Sequence, residues 1–246
     1  MTARTIAVGD IHGDRTQLER LLARLPALEA GDTLLFIGDY IDRGPDSRGV
    51  VEVLRGLAAR TPARLVFLKG NHEDSWLRVI DKGFPEFVLP PGNGCWACAR
   101  SFLGMPLEAP PTPDGMRKMF EGSFFPPEVV EWMRALADFW EDEHAIYVHA
   151  GLPEKDGRFL HPSEVEDKQV LFWQRSAKFF RGYRGKRVIC GHTATEDLPD
   201  ISLYTPGDPS DLWYTQHVIA IDTKCGKEGG FLTAIELPSL RVYESR

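Results

Sequence analysis

The feature that most constrains this chain is a pattern that occurs three times in its first third. A short β-rich run ends at or just before a glycine, and the next residue carries an oxygen-bearing side chain. Thr5-Ile6-Ala7-Val8 runs into Gly9-Asp10, Thr33-Leu34-Leu35-Phe36-Ile37 into Gly38-Asp39, and Arg64-Leu65-Val66-Phe67-Leu68 stops shortly before Gly70-Asn71-His72. Between the runs, Thr16 to Leu25 places Leu18, Leu21, Leu22 and Leu25 at helical spacing, and Ser47 to Ala59 does so with Val50, Val51, Val53, Leu54 and Leu57. Strands that alternate with helices at steps of about 30 residues are βαβ units, which predicts an α/β fold with a buried parallel or mixed sheet. Ligands of such sheets bind beyond the carboxyl ends of the strands, and the oxygen donors fall there.

Residues 74 to 138 change character. Prolines and glycines cluster from Gly83 to Pro91 and from Pro106 to Pro113, with helical patterns over 74–82, 95–103 and 127–138. We read this stretch as a helical cap inserted into a single domain that spans residues 1–246. Sheet patterns then return. Ala145-Ile146-Tyr147-Val148 leads to His149-Ala150-Gly151, and Lys186-Arg187-Val188-Ile189-Cys190 leads to Gly191-His192-Thr193. Val218 to Ile221 and Phe231 to Leu237, separated by a turn-rich loop, are expected to pair as an antiparallel hairpin.

Composition narrows the function. The formal charge of −7 lacks the basic excess that general nucleic-acid binding requires. The apolar runs are far shorter than the roughly 20 residues of a membrane span. Met1-Thr2-Ala3-Arg4-Thr5 leads straight into a strand pattern without a secretory apolar region. A cytoplasmic location is expected. The four cysteines, Cys95, Cys98, Cys190 and Cys225, include one C-x-x-C pair. It has no second pair to complete a zinc site, so reduced, structural cysteines are expected.

The strand ends collect Asp10, His12, Asp39, Asn71, His72, His149 and His192. Carboxylate and amide oxygens mixed with imidazole nitrogens, and no thiolate, suit a borderline divalent ion such as manganese, iron or zinc. There are donors enough for two ions. A pair about 3.5–4 Å apart needs a shared ligand, and Asp39, on the middle of the first three strand ends, is the natural bridge. His72, adjacent to Asn71, can sit at the site without binding metal. Imidazole changes charge near neutral pH, which suits a proton donor, and Asp42 is the carboxylate to orient it. The planar fork of Arg43 suits a phosphoryl group.

The blocks Gly9-Asp10-Ile11-His12-Gly13, Gly38-Asp39-Tyr40-Ile41-Asp42-Arg43-Gly44, Gly70-Asn71-His72-Glu73, His149-Ala150-Gly151 and Gly191-His192-Thr193 resemble, in order, those of the calcineurin-like metallophosphoesterases. The likeness is strongest to the serine/threonine protein phosphatases in their short bacterial and phage form. It implies a mixed β-sandwich flanked by helices and two divalent metals. Asp10, His12 and Asp39 would hold the first, and Asp39, Asn71, His149 and His192 the second. It also implies His72 as general acid paired with Asp42, and Arg43, Arg175 and Asn71 as phosphate-binding groups, Arg175 from the similar segment Leu171-Phe172-Trp173-Gln174-Arg175. Ile221-Asp222-Thr223 resembles a late segment of the family, with Lys224 where glycine is usual.

The expected reaction is hydrolysis of a phosphate monoester by water activated between the two metals, on a phosphoprotein or a small phosphorylated substrate. Because Asp42 is present, a serine/threonine protein phosphatase is the first reading, and a symmetrical diadenosine tetraphosphate hydrolase is the alternative. A non-catalytic scaffold for phosphorylated partners is a third. His217 could reach the site, and the tryptophans are expected to pack in the cap and core.

Overall fold

The structure, a computed structural model, describes residues 3–204, Gly207 and residues 211–246; Met1 and Thr2 of the leader reading lie outside them. The strands are β1 (Thr5–Val8), β2 (Thr33–Phe36), β3 (Arg64–Phe67), β4 (Phe139–Glu141), β5 (Ile146–Val148), β6 (Glu154–Lys155), β7 (Arg158–Phe159), β8 (Val188–Cys190), β9 (Trp213–Tyr214), β10 (Val218–Ala220), β11 (Thr233–Leu237) and β12 (Arg241–Glu244). The helices are α1 (Arg15–Arg24), α2 (Ser47–Gly56), α3 (Asn71–Lys82), α4 (Pro85–Val88), α5 (Cys95–Phe102), α6 (Pro113–Glu121), α7 (Pro127–Arg134), α8 (Gln169–Trp173) and α9 (Ala177–Gly182).

Among the described residues, two five-stranded sheets are ordered β12-β11-β1-β2-β3 and β4-β5-β8-β10-β9. In the first, β1, β2 and β3 run parallel, with Val8 level with Phe36 and Phe36 level with Phe67. In the second, β5, β8 and β10 run parallel. The inner faces share a core in which Ala7, Leu35 and Ile37 meet Tyr147, Ile189 and Ile219. Leu18 and Leu21 of α1 and Val50 and Leu54 of α2 pack in the cluster that covers the first sheet, and Phe172 and Phe179 in the one that covers the second. Helices thus lie on both outer faces of a sandwich. All six parallel strands end at the same side of it, and six loops converge there.

Three expectations need correction. The segment after Ile221 is no hairpin: β10 pairs with β8 and β9, while β11 pairs with β1 and β12, so residues 222–230 cross from one sheet to the other. Both strands are buried along their whole length. Such runs carry no alternation to mark a partner. The helix expected at 74–82 starts at Asn71, which puts Asn71 and His72 in its first turn rather than on a strand end. The helix expected over 127–138 stops at Arg134, and Phe139 opens an edge strand instead. The stretch between β3 and β4 holds α3 to α7, of which α4 and α6 were not foreseen.

Candidate metal centre

Each converging loop brings one or two polar groups to a common point. Asp10, His12, Asp39, Asp42, Asn71, His72, His149 and His192 are all buried, none more than 5% exposed. The backbone pays for this convergence. His12, Asp39, Asp42, Arg43 and His192 all have φ between 47° and 72°. This left-handed region is rarely adopted outside glycine, and such residues cost about 1–3 kcal/mol each. In several places the site residues adopt it themselves, and a flanking glycine is needed for room. A Cβ on Gly70 would collide with the Asp39 carboxylate, and one on Gly191 with that of Asp10.

The two central carboxylates are used alike. Asp39 Oδ1 accepts from the His72 backbone N–H at 3.0 Å, and its Oδ2 faces three imidazoles: His149 Nε2 at 3.4 Å, His12 Nε2 at 3.5 Å and His72 Nε2 at 4.0 Å. Asp10 Oδ2 accepts from the His192 N–H at 3.0 Å, while its Oδ1 is buried without a hydrogen-bond partner. Asn71 Oδ1 lies 2.8 Å from His192 Nδ1 and 3.1 Å from His149 Nε2.

The charges of the site follow from its burial. Burial opposes a charge on His149, but the Asp39 and Asp10 carboxylates outweigh it and push the imidazole up to about 9. With Nδ1 directed at the Ile37 carbonyl at 2.9 Å, its Nε2 faces only oxygens and calls for a proton or a cation. Burial and the nearby Asp222 carboxylate push the Asp10 carboxyl well up. Burial also opposes ionisation of Asp39, and the surrounding imidazoles overcome it and hold the carboxyl well below its usual range. Orphaned oxygen, clustered carboxylates and imidazole lone pairs are the donor set of a divalent cation. Two groups, His12–Asp39–His72 and Asp39–His149–His192, have ligand atoms all within 4.8 Å of one another and share Asp39. The first group contains His72 where the sequence reading has Asp10. Asp39 is the one residue the two groups have in common.

Beside this cluster, Asp42 Oδ2 lies 2.6 Å from His72 Nδ1, and Trp76 Nε1 donates to both Asp42 oxygens at 3.0 and 2.9 Å. The Arg43 guanidinium reaches toward His12 Nε2. Arg175 is exposed on the far side, with Nη1 donating to Thr193 Oγ1 at 3.4 Å, next to His192. His217 stays outside, its Nδ1 on the Gly185 carbonyl at 2.7 Å. All four cysteines are free and buried, and burial pushes the thiols of Cys95 and Cys98 up.

Three residues were given no role from the sequence. Glu73 accepts from the backbone N–H groups of Asp39, Tyr40 and Gly70 at 3.0, 2.8 and 3.0 Å, pinning two loops together. Burial and the Asp39 charge raise its carboxyl to about 7. Trp76 holds Asp42. Asp222 follows β10, the sixth parallel strand, and its burial raises its carboxyl. Asp222 was findable, since it stands after a strand as Asp10 and Asp39 do. Glu73 and Trp76 carry no such mark, because their work is a hydrogen bond to another segment.

Residues 3–196 match the profile of the calcineurin-like phosphoesterases. A Caenorhabditis elegans protein named as a candidate serine/threonine-protein phosphatase is 36% identical over 104 residues, 41% of this chain and 28% of that protein. A symmetrical bis(5′-nucleosyl)-tetraphosphatase of Janthinobacterium is 39% identical over 75 residues, 30% of this chain and 26% of that one. The matched stretches thus span little more than a quarter of these relatives. Among solved structures, a candidate diadenosine tetraphosphatase superposes with a TM-score of 0.59 at 23% identity, covering 99% of this chain and 93% of that one. A Saccharomyces cerevisiae serine/threonine phosphatase gives 0.52 at 18%, covering 95% and 73%. At these identities the structural matches establish the fold. No helix of the described residues is long and apolar enough to cross a membrane.

Proposed function

The chain belongs to the calcineurin-like phosphoesterase family, and from that premise we propose that it is a metal-dependent phosphomonoesterase acting on phosphoserine and phosphothreonine in proteins. The observation that carries this reading is the 2.6 Å contact between Asp42 and His72 beside the Asp39 cluster. Asp10, His12 and Asp39 would hold one divalent ion, and Asp39, Asn71, His149 and His192 the other, with manganese the first choice. Bound there, the ions supply Lewis-acid charge and make water a nucleophile at neutral pH. The protein's own groups do the rest. Arg43 and Arg175, with Asn71, bind the phosphoryl oxygens and stabilise the charge that grows on them. Asp42 fixes the His72 ring through Nδ1, which leaves Nε2 turned toward the cluster to protonate the departing alkoxide. Trp76 keeps Asp42 in place. No nucleophilic serine or cysteine is required.

The full-length superposition on a candidate diadenosine tetraphosphatase favours a second reading, hydrolysis of dinucleoside polyphosphates. The test is kcat/KM on phosphoserine and phosphothreonine peptides against diadenosine tetraphosphate, with manganese supplied. The proposal expects faster peptide turnover; a clear preference for the nucleotide overturns it.

A further inference from the structure

A cavity of about 430 Å³ opens beside Arg43, between the start of α5, the turn before it and α6. Its apolar lining includes Leu89, Trp96, Met116 and Phe120, its charged groups are Arg43 and Arg100, and none of the described residues that line it is acidic. In a chain of formal charge −7 that is a local reversal of sign. Leu89 and Phe120 belong to the few large apolar side chains left exposed, at 62% and 37%. The walls are fixed in advance. Trp96 Nε1 donates to the Ala109 carbonyl at 3.2 Å, and its six-membered ring lies against Gly115, where a Cβ would come within 2.8 Å. At the floor, Gly94 abuts the Arg43 backbone so closely that a Cβ would strike it.

Resting on the phosphomonoesterase reading above, we propose that this cavity is a substrate subsite that takes a flat aromatic group carried beside the phosphate held by Arg43. Trp96 and Met116 supply ring and sulfur contacts that favour an aromatic guest. Arg100 adds a cation for its face or for a further anion. The size falls within the range of small-ligand sites. Such a group can come from the base of a nucleotide or from an aromatic side chain flanking a phosphorylated residue.

The test compares competitive binding of phenylphosphonate and methylphosphonate to the manganese-supplied protein. Wild type is expected to prefer the phenyl compound. Trp96→Ala removes a wall, and Ala97→Phe, at another lining position, fills the space without removing packing. Both are expected to reduce that preference about tenfold, the effect of one stacked ring. An equal preference in wild type and both variants overturns the subsite. Failure of the hydrolase reading shows separately, as no turnover of any phosphate ester while the phosphonate preference persists. Adenosine 5′-phosphate against a phosphoserine peptide flanked by phenylalanine then tells the two sources apart by which competes more tightly.

Discussion

At the scale of single residues, the site is a chain of orientations. Trp76 fixes Asp42, Asp42 fixes His72, and the backbone N–H of His72 fixes Asp39. His72 and Asp39 are therefore set by one network, with Glu73 bracing the loop from below. Replacing His72 by Asn keeps a polar side chain but removes the ionisable group. We expect kcat on esters with poor leaving groups to fall by about 10²–10⁴, with a smaller loss on an activated aryl ester and with metal content, by elemental analysis, retained. Near-wild-type rates on the poor leaving group would contradict the acid role. Asp39, Asp42 and His72 were legible because a carboxylate or imidazole just beyond a buried strand is out of place in a core, whereas Trp76 and Glu73 were not. The left-handed backbone at Asp42 and Arg43 was not, since neither is a glycine, the residue that usually takes it.

At the scale of elements, the loop that carries Arg43 and the helices between β3 and β4 are in contact. Gly94, the residue before α5, has φ 73° and touches the Arg43 backbone. Gly94→Ala would meet both strain and collision, so we expect a loss of about 1–3 kcal/mol in stability together with a raised KM for phosphate esters. Thermal melting and kinetics on the same preparation read the two effects, and an unaltered KM would mean that Arg43 is placed independently of the helices. The two βαβ units of β1, β2 and β3 were readable from periodicity, because the strands are separated by amphipathic helices whose buried stripes are plain. The partners of β10 and β11 were not. Pairing in two different sheets is decided by contacts distant in sequence, and a fully apolar strand fits either neighbour.

At the scale of the molecule, the fold gathers acidic groups in its interior. Asp10, Asp39, Asp42, Glu73 and Asp222 are all at most 3% exposed. Cations held there stabilise the folded state alone, by about 3 kcal/mol at a hundredfold excess over Kd. For a chain of this length that is roughly 5–10 °C in Tm. Melting in chelator should therefore fall below melting in manganese by that order; coincident curves would argue against metal at these carboxylates. The topology has one more consequence. The strand that delivers Asp10 is central in its sheet, and one of its two neighbours is β11, which pairs Thr5 with Leu237. During translation, the flank of β1 stays open until that distant segment leaves the ribosome. A nascent chain stalled just past Asp222 has every group of the site and still lacks the strand that seals the sheet, so its exposed edge is a target for chaperones or for pairing with another copy.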